Sequence, residues 1–189
     1  LSSKLQSRIG ALVKKNTVRS EEKIGSKMDA LIADGKSNLA RGQYKSAIRS
    51  FQDAIDADPS RANIGRIQEA EDGLQQAKAV RQRKADEYYK KARPFFDSSQ
   101  TDDLIQARDL LRKAKKIDPS LSRVTNKLES VMGKLRRRAQ DQYNKAKNMA
   151  KIGQTSRARG LYFEVLTLLD DSSEKWARAA EKELEQLSE

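Results

Sequence analysis

The chain of 189 residues contains no cysteine and no histidine. These absences exclude disulfides, thiolate nucleophiles, the common zinc sites and every catalytic arrangement that depends on histidine. Proline occurs three times and glycine nine times, so few positions interrupt a helix. No apolar run approaches the roughly 18 residues of a membrane-spanning helix, and no signal peptide is evident. The sequence therefore predicts long helices, and it lacks two residue types on which many enzyme active sites depend.

The charge is unevenly distributed along the chain, which has a formal net charge of +12. Residues 1–20 carry five Lys or Arg residues and no acid, and residues 134–159 carry nine against one acid. Residues 160–189 reverse the sign, with three bases and eight acids. A basic surface can bind an acidic protein, an anionic membrane or nucleic acid. The alternative is an ordinary solvated helix surface on which some opposite charges pair.

The stretch from Gly42 to Ser60 has apolar residues spaced for one face of a helix. Small residues stand on either side of Phe51, and Pro59 ends the helix. Upstream, a second apolar stripe runs over residues 28–40 and stops where Gly42 suits a left-handed cap. Two helices joined by a short turn predict an antiparallel helical hairpin.

The same pattern recurs twice more along the chain. "IDPS" at 117–120 repeats "ADPS" at 57–60, and a third copy at 153–173 has Asp170 in place of the proline. The first helices repeat as "RKADEYYKKAR" and "RRAQDQYNKAK". The predicted organisation is a basic N-terminal helical segment (1–25), hairpin 1 (26–60), a connecting helix (61–81), hairpin 2 (82–120), a connecting helix (121–135), hairpin 3 (136–171) and a C-terminal helix (172–189).

The two connecting segments favour helix and run on into the next hairpin, which predicts helices of about 30 residues, near 45 Å at 1.5 Å per residue. Gly73 and Gly133 lie at matching places within them. Because glycine weakens a helix interior by about 1 kcal/mol, a bend near either residue is an open alternative to a straight helix.

The hairpins resemble the tetratricopeptide repeat, a 34-residue helix–turn–helix with small residues where its helices cross. In the first hairpin the resemblance rests on Leu31, Gly35, Gly42, Tyr44, Ala47, Phe51, Ala54 and Pro59. The copies here are 60 and then 51 residues apart, and Asp34 stands where the family usually has leucine. The resemblance implies an all-α fold, a short open α-solenoid of three hairpins joined by long helices, with a terminal helix at each end.

The resemblance also implies that a partner binds the face lined by the first helices of the hairpins. By register that face includes Lys36, Tyr89, Lys90, Arg93, Tyr143, Asn144, Lys147 and Lys151, and the neighbouring basic run adds Arg136, Arg137 and Arg138. Lysine and arginine there would hold carboxylates, while tyrosine and asparagine would bond a peptide backbone. The alternative for Tyr89 and Tyr143 is that both rings pack between helices.

The N-terminal segment is amphipathic. One helical face carries Leu1, Leu5, Ile9, Leu12 and Val13, and Lys4, Arg8, Lys14 and Lys15 surround it. Such a helix could contact an anionic membrane surface. The interpretation that we prefer is an added helix that covers the exposed edge of the first hairpin.

We therefore expect no enzyme, with no catalytic, cofactor-binding or metal-binding residues and no small-molecule substrate. The predicted function is a protein-interaction or scaffold module that binds an acidic protein or peptide on a basic helical surface. The alternative is a basic peripheral module that binds anionic membrane lipid or nucleic acid. Nucleic acid is less favoured, because aromatic residues make up only 5 % of the chain and no known nucleic-acid motif is present.

The chain begins with leucine, so we expect it to be a fragment of a longer protein. We expect that protein to be cytoplasmic, or to present this part in the cytoplasm from a membrane anchor. The sequence leaves open its partner and its oligomeric state.

Overall fold

The computed structural model describes residues 3–187, and within this range every regular element is a helix and none is a strand. The all-α fold class predicted from the sequence is therefore confirmed. The helices are α1 (Ser3–Ala40), α2 (Tyr44–Asp56), α3 (Ile64–Ala92), α4 (Thr101–Ile117), α5 (Ser122–Lys151), α6 (Thr155–Leu169) and α7 (Lys175–Gln186), with a short 3-10 helix (Arg93–Phe95) after α3. Within the same residues, no helix is long and apolar enough to cross a membrane.

The chain divides into two compact units, Leu1–Arg83 and Lys84–Glu189. The first unit contains α1, α2 and the part of α3 up to the division. The second contains the remainder of α3 and the helices α4 to α7. Both α3 and α5 are helical through their central glycines, Gly73 and Gly133, so neither glycine interrupts its helix.

The turns of the first and third hairpins are built in the same way. Gly42 has a φ of +72° and Gly153 a φ of +79°, a left-handed conformation that glycine adopts without steric cost. The amide of Gln43 donates to the carbonyl of Asn38 at 2.9 Å, and the amide of Gln154 makes the equivalent bond. The repeated Gly-Gln pair therefore closes both helix ends with a Schellman motif.

Phe51 occupies the centre of the first unit, where it is 1 % exposed. Its ring lies against Gly35 of α1 and Gly73 of α3, and a Cβ atom at these positions would lie only 2.7 and 2.4 Å from it. The other members of this buried cluster are Ile32, Ala47, Ala54, Ala70, Leu74 and Ala77. Gly73 thus permits close packing of α3 on Phe51.

The Asp-Pro-Ser triplets close the turns that follow α2 and α4. The buried carboxylate of Asp58 accepts bonds from the Ser60 hydroxyl at 2.5 Å and from the Asn63 amide at 2.7 Å, just before α3 begins. Asp118 accepts from the hydroxyl of Ser120 at 2.6 Å. Hydrogen bonds from Ser60 and Asn63 lower the pKa of Asp58 to about 2, because they stabilise its charged form.

The core of the second unit lies between α4, α5, α6 and α7, and the end of α3 contributes to it. Its fully buried large side chains are Leu104, Leu111, Val124, Val131, Leu135, Tyr162, Val165 and Leu169. Arg108 is a buried cation within this unit, and it donates to the carbonyls of Thr167 and Leu168 at 3.2 and 2.9 Å. Those carbonyls belong to the last turn of α6, where no intrahelical donor reaches them.

The N-terminal segment is the first part of α1. The expectation that it covers the edge of the first hairpin is wrong for the side chains that the structure describes, because residues 8–23 are all exposed. A helix that continues unbroken from Ser3 to Ala40 cannot fold back on its own second half. Leu1 lies outside the described residues, as do the side chains of Lys4 and Leu5.

Candidate partner-binding surface

The residues predicted to bind a partner belong to both units. Lys36 lies in the first unit, and the other ten lie in the second. Lys36 donates to the Glu69 carboxylate at 2.7 Å, and it lines a cleft of about 430 Å³ that also contains Phe51 and Asp72. Two carboxylates and one lysine line this cleft, so it has no basic character.

Tyr89, Lys90 and Arg93 lie together at the end of α3, in a small cleft of about 170 Å³. Arg123 from the start of α5 stacks over the Tyr89 ring, 5.5 Å from its centroid, and forms an ion pair with Asp86. The cleft therefore holds three cations and one carboxylate. Lys90 and Arg93 are exposed and available to a ligand, whereas the ring face of Tyr89 is already occupied.

Tyr143 is a buried residue beneath α7. Its ring centroid lies 5.3 Å from that of Trp176 and 5.6 Å from that of Tyr162, and its hydroxyl donates to Glu183 at 3.1 Å. Burial, together with the bond to the Glu183 carboxylate, raises the pKa of Tyr143. A ring packed in this way is not presented to a partner.

Arg136 and Arg138 hold neighbouring helices together. Arg136 makes a bidentate contact with Glu174, at 3.0 and 2.8 Å, just before α7 begins, and also pairs with Glu129. These hydrogen bonds raise the pKa of Arg136. Arg138 donates to the Thr101 hydroxyl and to the Ser99 carbonyl, both at 2.6 Å, beside the start of α4. Neither guanidinium is free to recognise a ligand in this arrangement.

The remaining predicted residues of α5 lie on one exposed face, which we call the α5 stripe. It consists of the predicted Arg137, Asn144, Lys147 and Lys151 together with Gln140, all exposed. Intervals of three and four residues place them on one side of the helix, over about 21 Å at 1.5 Å per residue. None of its three cations forms an ion pair with another residue in the described part of the chain. The stripe contains no Asp or Glu that could neutralise these cations. Its positive charge is therefore exposed to solvent.

Two residues were not predicted from the sequence, Gln140 of the α5 stripe and Arg123 of the cleft beside Tyr89. Arg123 lies two heptads before Arg137, so a search for heptad-spaced polar positions along α5 could have found it. Gln140 is uncharged, so the search for basic residues did not identify it.

A third cleft, of mixed charge and about 450 Å³, lies between α4, α5 and α6. It is lined by Thr101, Asp102, Ile105, Arg138, Asp141, Gln142, Lys145, Glu164, Thr167 and Leu168. The Gln142 amide donates to Glu164 at 2.7 Å, while its carbonyl oxygen is buried without a hydrogen-bond partner in this part of the structure. This cleft could not be predicted from the sequence, because its residues come from three separate helices.

Between residues 3 and 187, no three His, Cys, Asp or Glu side chains converge to hold a metal ion. The fold and its exposed surface together define an all-α protein of helical hairpins that presents an unpaired cationic helix face. Comparisons with family models, with curated proteins and with solved structures gave no match.

Proposed function

We propose that this chain is a non-catalytic protein-interaction module of the tetratricopeptide type, which binds an acidic segment of a partner on the α5 stripe. The observation that carries this proposal is the set of three unpaired cations, Arg137, Lys147 and Lys151, on one exposed helix face. Helices α4, α6 and α7 pack against other faces of α5 and hold it in place. A partner would therefore bind to Lys and Arg side chains on a helix that the fold already holds in place.

The chemistry of the stripe fits an extended acidic peptide. Lysine and arginine donate to carboxylates, and the side-chain amides of Asn144 and Gln140 can donate to and accept from a peptide backbone. About six extended residues span the 21 Å of the stripe at roughly 3.3 Å per residue. Because the cations are exposed, each contact is weak and salt reduces it, so affinity requires several contacts at once.

The cleft formed by Lys90, Arg93 and Arg123 lies in the same unit and extends the basic character to the first turn of α5. We further propose that the hairpins form a short open α-solenoid within a longer scaffold protein, and that the module works in the cytoplasm. Localisation of the tagged full-length protein checks the cytoplasmic assignment.

The experiment that tests this function is a selection of random peptides on the immobilised chain, followed by binding to two charge-reversal variants. We expect acidic peptides to be enriched, and their binding to fall about tenfold or more in Lys147→Glu/Lys151→Glu, since two attractions become repulsions. The matched control is Lys113→Glu/Lys116→Glu, which makes the same change in net charge on exposed α4 positions of the same unit. Enrichment of peptides without acidic character, or equal loss in both variants, would overturn the proposal.

A further inference from the structure

The first part of α1 presents an apolar face to solvent. Ile9, Leu12 and Val13 are 50 %, 61 % and 59 % exposed, although side chains of this kind are usually buried. Their spacing places them on one side of the helix. None of the three belongs to either buried cluster of the described structure. The face is thus preformed and uncovered within the part of the chain that the structure describes.

Three exposed cations border this apolar face on one side. At 100° per residue, Arg8, Lys15 and Arg19 lie along one flank, whereas Lys14 lies on the far side of the helix near Val18. No acidic residue occurs from position 1 to position 20. The segment therefore combines a narrow apolar ridge with positive charge along one flank.

We propose that residues 8–19 bind the surface of an anionic lipid bilayer. The helix would lie in the plane of the interface, with Ile9, Leu12 and Val13 at the boundary between headgroups and acyl chains. The flanking lysine and arginines would then meet the lipid phosphates and carboxylates at the same depth. This surface lies in the first unit and does not depend on the α5 stripe of the second.

Charge and spacing argue against a second copy of this chain as the occupant. A coiled coil would need the apolar positions to continue at heptad spacing, but the next positions of that seam are Asn16, Arg19 and Lys23. In a parallel pair, two of these three would bring like charges together. A bilayer requires no such continuation, because an isolated apolar ridge with a cationic flank is sufficient for reversible surface binding.

The first test is co-sedimentation of the intact chain with vesicles of phosphatidylcholine, alone or mixed with phosphatidylserine. We expect binding to the mixed vesicles only, with affinity about tenfold or more lower in Leu12→Ser/Val13→Ser and in Lys15→Gln/Arg19→Gln. Val18→Ser, on the opposite side of the helix, and Lys147→Gln/Lys151→Gln, on the α5 stripe, are the matched controls and should bind as the parent does.

Absence of binding to anionic vesicles, or equal binding by the ridge variants and their controls, would overturn the proposal. Dimerisation of the chain in the absence of lipid would overturn it in favour of a second copy, provided that Leu12→Ser/Val13→Ser abolishes the dimer.

The second test measures depth and uses the absence of cysteine from the chain. A single cysteine at Leu12 or at Val18 carries an environment-sensitive dye. With phosphatidylserine vesicles we expect a blue shift of the dye at Leu12→Cys and little change at Val18→Cys, because only the ridge enters the interface. The same response at both positions would contradict a helix that lies on its apolar face.

Discussion

At the scale of single residues, the first unit depends on the space that two glycines leave for one ring. Phe51 lies between Gly35 and Gly73, and no Cβ atom fits on either side of it. The sequence suggested that Gly73 weakens its helix. The structure shows that Gly73 lets α3 approach Phe51, so its cost in helix propensity is offset by closer packing.

We predict that Gly73→Ala destabilises the first unit by about 1–3 kcal/mol, the range expected for overpacking, although alanine favours helix. The measurement is urea unfolding followed by far-ultraviolet circular dichroism. Gly65→Ala is the control in the same helix, since a Cβ atom there meets nothing within 4 Å. Equal stability of the two variants would mean that Phe51 does not require the glycine.

Asp58 provides a second prediction at this scale. Its folded-state pKa is lowered to about 2, so its contribution to stability is present above the unfolded value near 4 and is lost as the pH falls toward 2. We expect Asp58→Asn to reduce the pH dependence of urea unfolding of the first unit over that interval. The exposed Asp34→Asn is the control, and an unchanged pH profile in Asp58→Asn would contradict the assignment.

At the scale of helices, α7 determines which side of α5 remains open. It covers Tyr143 with Trp176, buries Ala177 and Ala180, and is tied at its start by the Arg136–Glu174 pair. The exposed α5 stripe is what α4, α6 and α7 leave uncovered. The C-terminal helix therefore shapes the proposed binding surface even though it contributes no residue to the stripe.

Neighbouring residues of α5 should consequently behave in opposite ways. Tyr143→Ala should destabilise the second unit by about 3–5 kcal/mol, because it empties an aromatic site in the core. The only tryptophan, Trp176, should report this change by a red shift of its fluorescence. Asn144→Ala, one residue away and exposed, should leave stability within about 0.5 kcal/mol. A stable Tyr143→Ala variant would show that α7 does not depend on this contact.

The helices could be predicted from sequence because their signals are local. The Gly-Gln turns and the prolines fall within a single hairpin and mark where its helices end, whereas no such signal marks the start of α1 at Ser3, well before the expected boundary near residue 26. The roles of Arg136 and Arg138 in joining helices could not be predicted, because Glu174 and the residues at the start of α4 lie more than thirty positions away from them. Sequence register separates exposed from buried faces, but it does not identify the cations that are already paired.

At the scale of the whole molecule, the net charge of +12 divides into surfaces of different kinds. Some cations, including Lys36 and Arg136, pair within the protein. Those of the α5 stripe form no ion pair within the described residues, and those near Ile9 border an exposed apolar ridge. These surfaces suit different chemistry, an acidic peptide for the stripe and an anionic bilayer for the ridge. Separate variants should therefore remove one kind of binding and leave the other.

The most direct measurement of the central claim is the affinity of one selected acidic peptide, determined by titration calorimetry against the parent chain and the two charge-reversal variants. We predict that affinity falls about tenfold or more in Lys147→Glu/Lys151→Glu and by much less in Lys113→Glu/Lys116→Glu. Circular dichroism of each variant checks that the helices persist. Equal affinities for the two variants would contradict the α5 stripe as the binding surface.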